Sequence, residues 1–312
     1  MNLLRIPLLT IGVAIVSGPL ARANLSINAT FDSTITSNSN AAIIEAGINA
    51  AISRIEADIA NTVTINIDFK NLASGLGQSL TYYSPLSYSS YLDYLANGQT
   101  LSANDIAAVA SLHGGSTNPV DGNSNVYLNT ALLKAMGYSH SGNDGTISLN
   151  LSLMNLSRTG TQNGSLYDLQ AVAAHEIDEV LGIGGSGSIL PSTSGPVRPL
   201  DLFRYSASGV RSFTTNSSAT AYFSIDGGVT DLVNFNQTSG ADYADWASSG
   251  TPQVQDAFGT PGTTNVNVGT NELTALDVIG YNLAAVPEPS TYALFGLGAL
   301  AVVIAARRKQ KA

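Results

Sequence analysis

Apolar positions along this chain recur with two periods, and each period predicts a different element. Between Asn40 and Asn61, Ile44, Ile48, Ala51, Ile52, Ile55 and Ile59 recur at helical spacing behind a polar lead, predicting a long amphipathic helix with Gly47 inside it. Thr62 to Phe69 alternates with period two and predicts a strand; Ser79 to Tyr83 predicts a second. Tyr88–Ala96, Ala103–Leu112 and Val126–Met136 read as helices, the last two closed by His113-Gly114-Gly115 and by Gly137. Gly145 to Leu153 alternates strictly and reads as a strand. Ser165 to Leu181 reads as a helix stopped by Gly182, Gly184 and Gly185, with Leu169, Ala173, Ile177 and Val180 as its apolar stripe.

Beyond Pro191 the pattern shortens to strands and loops, with Pro199–Tyr205, Tyr222–Ile225 and Leu232–Phe235 as candidate strands. Gly240 to Asp256 is a polar loop that holds Asp242, Asp245 and the only tryptophan, Trp246. Glu272 to Ile279 predicts a closing helix ended by Gly280, and no internal repeat is visible. Helices and strands in this order predict an α+β protein: a helix/sheet subdomain over residues 24–186, an irregular β-rich subdomain over 187–285, and a cleft where they meet.

The two ends read as addresses. Arg5, the apolar run Ile6 to Val16 and Ala21-Arg22-Ala23 predict a signal peptide over residues 1–23, too short to anchor as a spanning helix. At the other end, Val286-Pro287-Glu288-Pro289 precedes an apolar run from Tyr292 to Ala306 and then Arg307-Arg308-Lys309, a basic end that fits the positive-inside rule. Residues 286–312 closely resemble the PEP-CTERM sorting signal of Gram-negative bacteria. That resemblance implies transient inner-membrane anchoring, an exosortase as partner, cleavage near Pro-Glu-Pro, and delivery to the cell surface or extracellular matrix.

Charge and composition narrow what the body between these signals does. It carries 7 Lys and Arg against 21 Asp and Glu, a net charge of −14. Phosphate binding needs basic surface, so nucleic acid is excluded as a partner. There is no cysteine, which removes disulfides, thiolate metal sites and a cysteine nucleophile together.

Chemistry concentrates in His175-Glu176-Ile177-Asp178-Glu179, of the form H-E-x-x-E. Positions i and i+4 share a helix face, so His175 and Glu179 can reach one metal ion, with Glu176 placed to take a proton from water beside it. Asp178 points to the flank and is expected to be solvated. Ala174 to Gly182 resembles the zincin metalloproteases, above all the metzincin form in which Leu-Gly ends the helix. It looks closest to bacterial metalloproteases with PEP-CTERM tails in which glutamate replaces the second zinc histidine. Asp201 to Tyr205, Ser224 to Gly228, Asp242 to Trp246 and Leu276 to Tyr281 also look like that group. The resemblance implies a zincin-like fold, zinc, peptide-bond hydrolysis, a peptide or protein substrate, and Thr146 to Leu153 as the edge strand on which an extended peptide pairs.

Two departures matter. Position 185, where a metzincin has its third ligand, is Gly185, and Met1, Met136 and Met154 all precede the helix, so no methionine turn follows it. Asp201 is the first choice for the third ligand, because it follows the glycine-rich turn; His113 and His140 are the only other histidines and read as surface residues. Two other functions stay open: a non-catalytic surface or matrix protein on a degenerate zincin scaffold, and an adhesion module holding calcium at the acidic loops of Asp226 and Asp242 to Asp245.

Overall fold

The computed structural model describes residues 25–190, 195–248 and 250–284. The signal peptide and the PEP-CTERM segment expected from the sequence lie outside the described residues. Among the described residues, no helix is long and apolar enough to cross a membrane.

The described residues form one compact α+β unit. Strand β1 (Leu25–Phe31) leads through the short helix α1 (Ser33–Thr36) into α2 (Ala41–Asp58), then β2 (Val63–Asn71), β3 (Gly77–Thr81) and β4 (Tyr83–Ser87). Helices α3 (Tyr88–Asp93) and α4 (Ala103–Ser111), strand β5 (Asn125–Asn129), helix α5 (Thr130–Ala135) and strand β6 (Gly145–Leu149) follow. The two-residue strands β7 (Met154–Asn155) and β8 (Tyr167–Asp168) precede the motif helix α6 (Leu169–Leu181). The remainder holds β9 (Arg204–Ala207), β10 (Val210–Arg211), β11 (Tyr222–Phe223), β12 (Val233–Asn234) and α7 (Thr270–Ile279).

The first sheet has the order β1-β2-β6-β3. β1, β2 and β6 are parallel, and β3 runs antiparallel to β6, pairing from Gly77 opposite Leu149 to Thr81 opposite Gly145. β3 is therefore an edge strand, with β1 at the opposite edge, and Thr146 to Leu149 is enclosed between β2 and β3. This corrects the expectation that Thr146 to Leu153 forms the edge. The alternation that marked it as a strand also ends early: Leu151–Leu153 is a 3-10 turn.

α2 and α6 pack against each other. Ile44, Ile48, Ala51, Ile52 and Ile55 of α2 are buried, as are Leu169, Ala173, Ile177 and Val180 of α6. Each large aliphatic side chain buried this way contributes about 1.5–3 kcal/mol. Gly47 explains itself here: a Cβ on it would lie 2.9 Å from Leu169 Cδ2, so only glycine lets the two helices approach this closely.

Other boundaries shift for local reasons. Val126–Met136 is not one helix, because Asn125–Asn129 pairs with β4 before α5 begins. α6 starts at Leu169 rather than Ser165, because the Asp168 side chain caps it by accepting from Gln170 N at 3.0 Å. Pro199–Phe203 is a 3-10 turn rather than the start of a strand. The second sheet, of order β10-β9-β11-β12, packs around Trp246, whose ring lies 5.7 Å from Phe223 and 5.2 Å from Phe235. This aromatic knot holds the Gly240 to Asp256 loop, whose backbone meets the sheet at the Phe235–Trp246 bridge.

Candidate metal centre

α6 carries its motif residues beside the edge strand. His175 Nε2 lies 3.6 Å from Glu179 Oε1 and 3.5 Å from Asp245 Oδ2. The three ligand atoms fall within 4.8 Å of one another. Their side chains retain 16 %, 10 % and 2 % exposure, so the cluster opens to solvent mainly at the histidine.

Asp201 is not part of this cluster. It is buried in the 3-10 turn, where Oδ2 accepts from Arg198 N at 2.7 Å and from the Ser188 hydroxyl. Those bonds make it a local cap for its own turn. The third donor at the cluster is Asp245, from the loop pinned by Trp246. His113 and His140 are both exposed, and His140 faces Asp144 instead at 3.9 Å.

Each member of the cluster is held from behind. His175 Nδ1 meets the Val254 carbonyl at 2.9 Å. A carbonyl only accepts, so Nδ1 donates to it, which turns Nε2 toward the cluster. Ser79 Oγ of β3 donates to Glu179 Oε2, leaving Oε1 toward the histidine. Asp245 Oδ1 accepts from Gly185 N at 2.7 Å and from Gln255 Nε2 at 2.8 Å, leaving Oδ2 toward the histidine. The Gln255 amide nitrogen also stands 3.4 Å from His175 Nε2. Position 185 thus supplies a backbone N–H to Asp245 rather than a ligand of its own. Gly184, at φ +77°, is glycine for a reason: a Cβ there would lie 2.1 Å from Gln255 Nε2.

The support reaches α7. Glu272 Oε1 accepts from Gln255 N at 3.1 Å, while Oε2 caps the helix start by accepting from Gly269 N at 3.0 Å. At the far end of α6, Asn129 Nδ2 donates to the carbonyls of Glu179 (2.8 Å) and Val180 (3.1 Å), and Tyr281 OH donates to that of Leu181 at 2.9 Å. These bonds satisfy carbonyls that a helix terminus otherwise leaves unpaired.

Glu176 is buried beside the cluster against the edge strand: a Cβ on Gly77 would sit 2.2 Å from its Oε1. Its Oε2 has no hydrogen-bond partner among the described residues. Burial, then the neighbouring Glu179, raise the Glu176 carboxyl well above the usual glutamate value. Burial likewise pushes Asp245 up to about 8. For His175, burial alone would lower the pKa, but Asp245, Glu179 and Glu176 outweigh it and raise the imidazole well above its ordinary value.

Asp178 departs from expectation. It is fully buried, neither carboxyl oxygen has a partner among the described residues, and burial, with Glu272 next in effect, raises its pKa well above the aspartate value. Only one face of α6 is open, and the i+3 position from His175 is turned away from it.

A divalent ion fits the donor set. Tetrahedral zinc with ligand bonds of about 2.0–2.2 Å separates its donors by roughly 3.3–3.6 Å, and the two distances at His175 match that spacing. One imidazole nitrogen and two carboxylate oxygens, with the second carboxylate oxygens held by donors and the second imidazole nitrogen by the Val254 carbonyl, form a set that could hold a metal ion.

Two recesses meet at this cluster and share Gly77, Glu176 and Asp242. One, of about 350 Å³, runs past His175 along Tyr167, Val172 and Val254. The other, of about 340 Å³, runs along the whole of β3 past Glu179 and Gly185.

Residues 285–309 match the PEP-CTERM protein-sorting motif. This is a sorting signal of the kind an exosortase recognises, and it implies export and sorting to the cell surface in Gram-negative bacteria. No curated protein and no solved structure matches the chain.

Proposed function

We propose that this chain is an exported, zinc-dependent peptidase of zincin type, delivered to the cell surface or beyond it. The observation that carries the reading is the convergence of His175, Glu179 and Asp245 with a buried, unpaired Glu176 carboxyl oxygen beside them, at the floor of a cleft bordered by an exposed edge strand. His175, Glu179 and Asp245 would hold the ion. A divalent ion so held acts as a Lewis acid toward a peptide carbonyl and acidifies water.

The chain's own groups do the rest. β3 offers its unpaired backbone edge to an extended peptide, and its alternating side chains set the register. Glu176, buried beside the cluster with one carboxyl oxygen unpaired, takes the proton of the attacking water and returns it to the leaving amine. Ser79, Gly185 and Gln255 keep the two carboxylates aimed, and Val254 holds the imidazole tautomer. The sorting tail supports a place of action at the cell surface or outside the cell.

The test is metal analysis of the purified protein together with casein hydrolysis by the wild type and by Glu176→Gln. Stoichiometric zinc in both proteins, with hydrolysis lowered by about 10²–10⁴-fold in the variant, is the expected result. Zinc without any hydrolysis points to a non-catalytic surface protein on the same scaffold. Calcium in place of zinc points to an adhesion module.

A further inference from the structure

The recess along β3 contains a positive charge that acts on buried Asp201 at a distance but has no direct hydrogen-bond or ion-pair partner among the described residues. Arg198 lines it together with Ser79, Thr81, Tyr83, Glu179 and Gly185. Its guanidinium carbon lies 4.0 Å from the centroid of the Tyr83 ring, so the flat face of the group is covered. Its edge is not. Among the described residues the guanidinium donates no hydrogen bond and forms no ion pair, and Nε is buried without an acceptor.

The other arginines of the body spend their donors internally. Arg54 reaches Asn267, Arg158 pairs with Asp168, Arg204 donates to the carbonyls of Ser212 and Tyr243, and Arg211 donates to that of Leu202. The opposite recess is lined by no lysine or arginine but by Asp168, Asp242, Asp245 and Asp256. The cleft is thus acidic throughout except for one stacked guanidinium beside the edge strand. A planar fork with a covered face and open edge donors is matched to a planar acceptor with two oxygens.

We infer that Arg198 receives a carboxylate of the peptide that occupies this cleft. The inference rests on the peptidase reading and adds its substrate class: peptides with an acidic group on the Arg198 side of the bond that is cut. The carboxylate has two possible sources, an Asp or Glu side chain or the peptide's own C-terminus. Arg198 is a substrate-binding residue in this account and takes no part in moving protons.

The experiment measures binding to the full chain carrying Glu176→Gln and loaded with zinc, so that no turnover intervenes. The probes are fluorescein-labelled alanine-rich octapeptides with one Glu moved through the central positions. Each is compared with its Gln counterpart, and each is made as C-terminal acid and as amide. At least one Glu peptide is expected to bind roughly tenfold or more tightly than its Gln counterpart. A second Arg198→Gln change should erase that preference and leave the Gln peptides unaffected. Arg198→Lys, which keeps the charge but not the fork, should retain part of it. A preference that follows acid over amide instead assigns the carboxylate to the chain terminus.

Equal binding of all probes to the parent, or equal weakening of all of them by Arg198→Gln with Arg198→Lys no better, overturns the inference. Casein hydrolysis by the wild-type chain separates the two ideas. Hydrolysis without any acidic preference removes the Arg198 assignment alone, whereas neither hydrolysis nor peptide binding removes the peptidase reading with it.

Discussion

Asp245→Asn takes one negative charge from the candidate metal centre while leaving its packing almost untouched. The asparagine Oδ1 can still accept from Gly185 N and Gln255 Nε2, which hold the aspartate at 2.7 Å and 2.8 Å. What changes is the atom facing His175 at 3.5 Å: an anionic oxygen becomes an amide nitrogen without a lone pair to offer. Complete four-ligand zinc sites bind with about 10–16 kcal/mol, so one ligand accounts for roughly 3–4 kcal/mol. The zinc Kd should therefore rise by about 10²–10³-fold. Competition with a chromophoric chelator measures it directly. Thermal unfolding gives a second reading: zinc at about 100 times the wild-type Kd adds roughly 2.7 kcal/mol, or on the order of 5 °C for a body of this size. In Asp245→Asn that shift should nearly vanish.

Asp201→Asn is the control, because Asp201 spends its Oδ2 on Arg198 N and Ser188. It should cost about 1–3 kcal/mol of stability through those buried bonds and leave zinc affinity unchanged. The reasoning is refuted if Asp201→Asn releases the metal while Asp245→Asn binds it as the wild type does.

Two further outcomes follow from single contacts. Gly77→Ala places a methyl group 2.2 Å from Glu176 Oε1 and 3.0 Å from Val172 Cγ1, so the carboxylate must swing away. Turnover should fall by about 10²-fold with zinc affinity unchanged, and wild-type kcat in this variant would show that the Glu176 orientation does not matter. Asp277 of α7 is almost fully buried and its carboxyl is raised to about 6, by burial against the opposing hydrogen bond from Ser102. Such a group binds its proton more tightly folded than unfolded, so its contribution is present below about pH 4 and is lost as pH rises through about 6. Asp277→Asn keeps an acceptor for Ser102 and should add about 1–2 kcal/mol at neutral pH, after discounting for the water that reaches the group, and almost nothing near pH 4. Urea unfolding at both pH values checks this, and an equal effect at the two would sink it.

Much of the frame was legible from residues close together in sequence. The 3.6 period of Ile44 to Ile55, the alternation of Val63 to Phe69 and the stripe of Leu169 to Val180 each report which face of an element avoids water. The i,i+4 spacing of His175 and Glu179 put both on one helix face, and the pair meets at 3.6 Å. The sorting tail was readable for the same reason, since its receptor reads a linear order of residues.

The tertiary structure decided whatever depends on chain segments far apart meeting. β1 went unanticipated because its pairing with β2 is parallel and needs a crossover through α2. The edge strand proved to be β3 rather than β6, since order within a sheet is settled by packing and not by alternation within a strand. Asp178 looked solvated because its own helix cannot reveal that α7 brings Glu272 to that side. The third donor followed the same logic. Asp201 had the better local position, but its Oδ2 is taken by Arg198 N and the Ser188 hydroxyl. Asp245 reaches His175 because a buried tryptophan, a glycine pair and the cap of α7 carry its loop there. Periodicity and capping are settled within one or two turns of chain, whereas a cluster of donors forms only when the loops that bring it together have a core to close against.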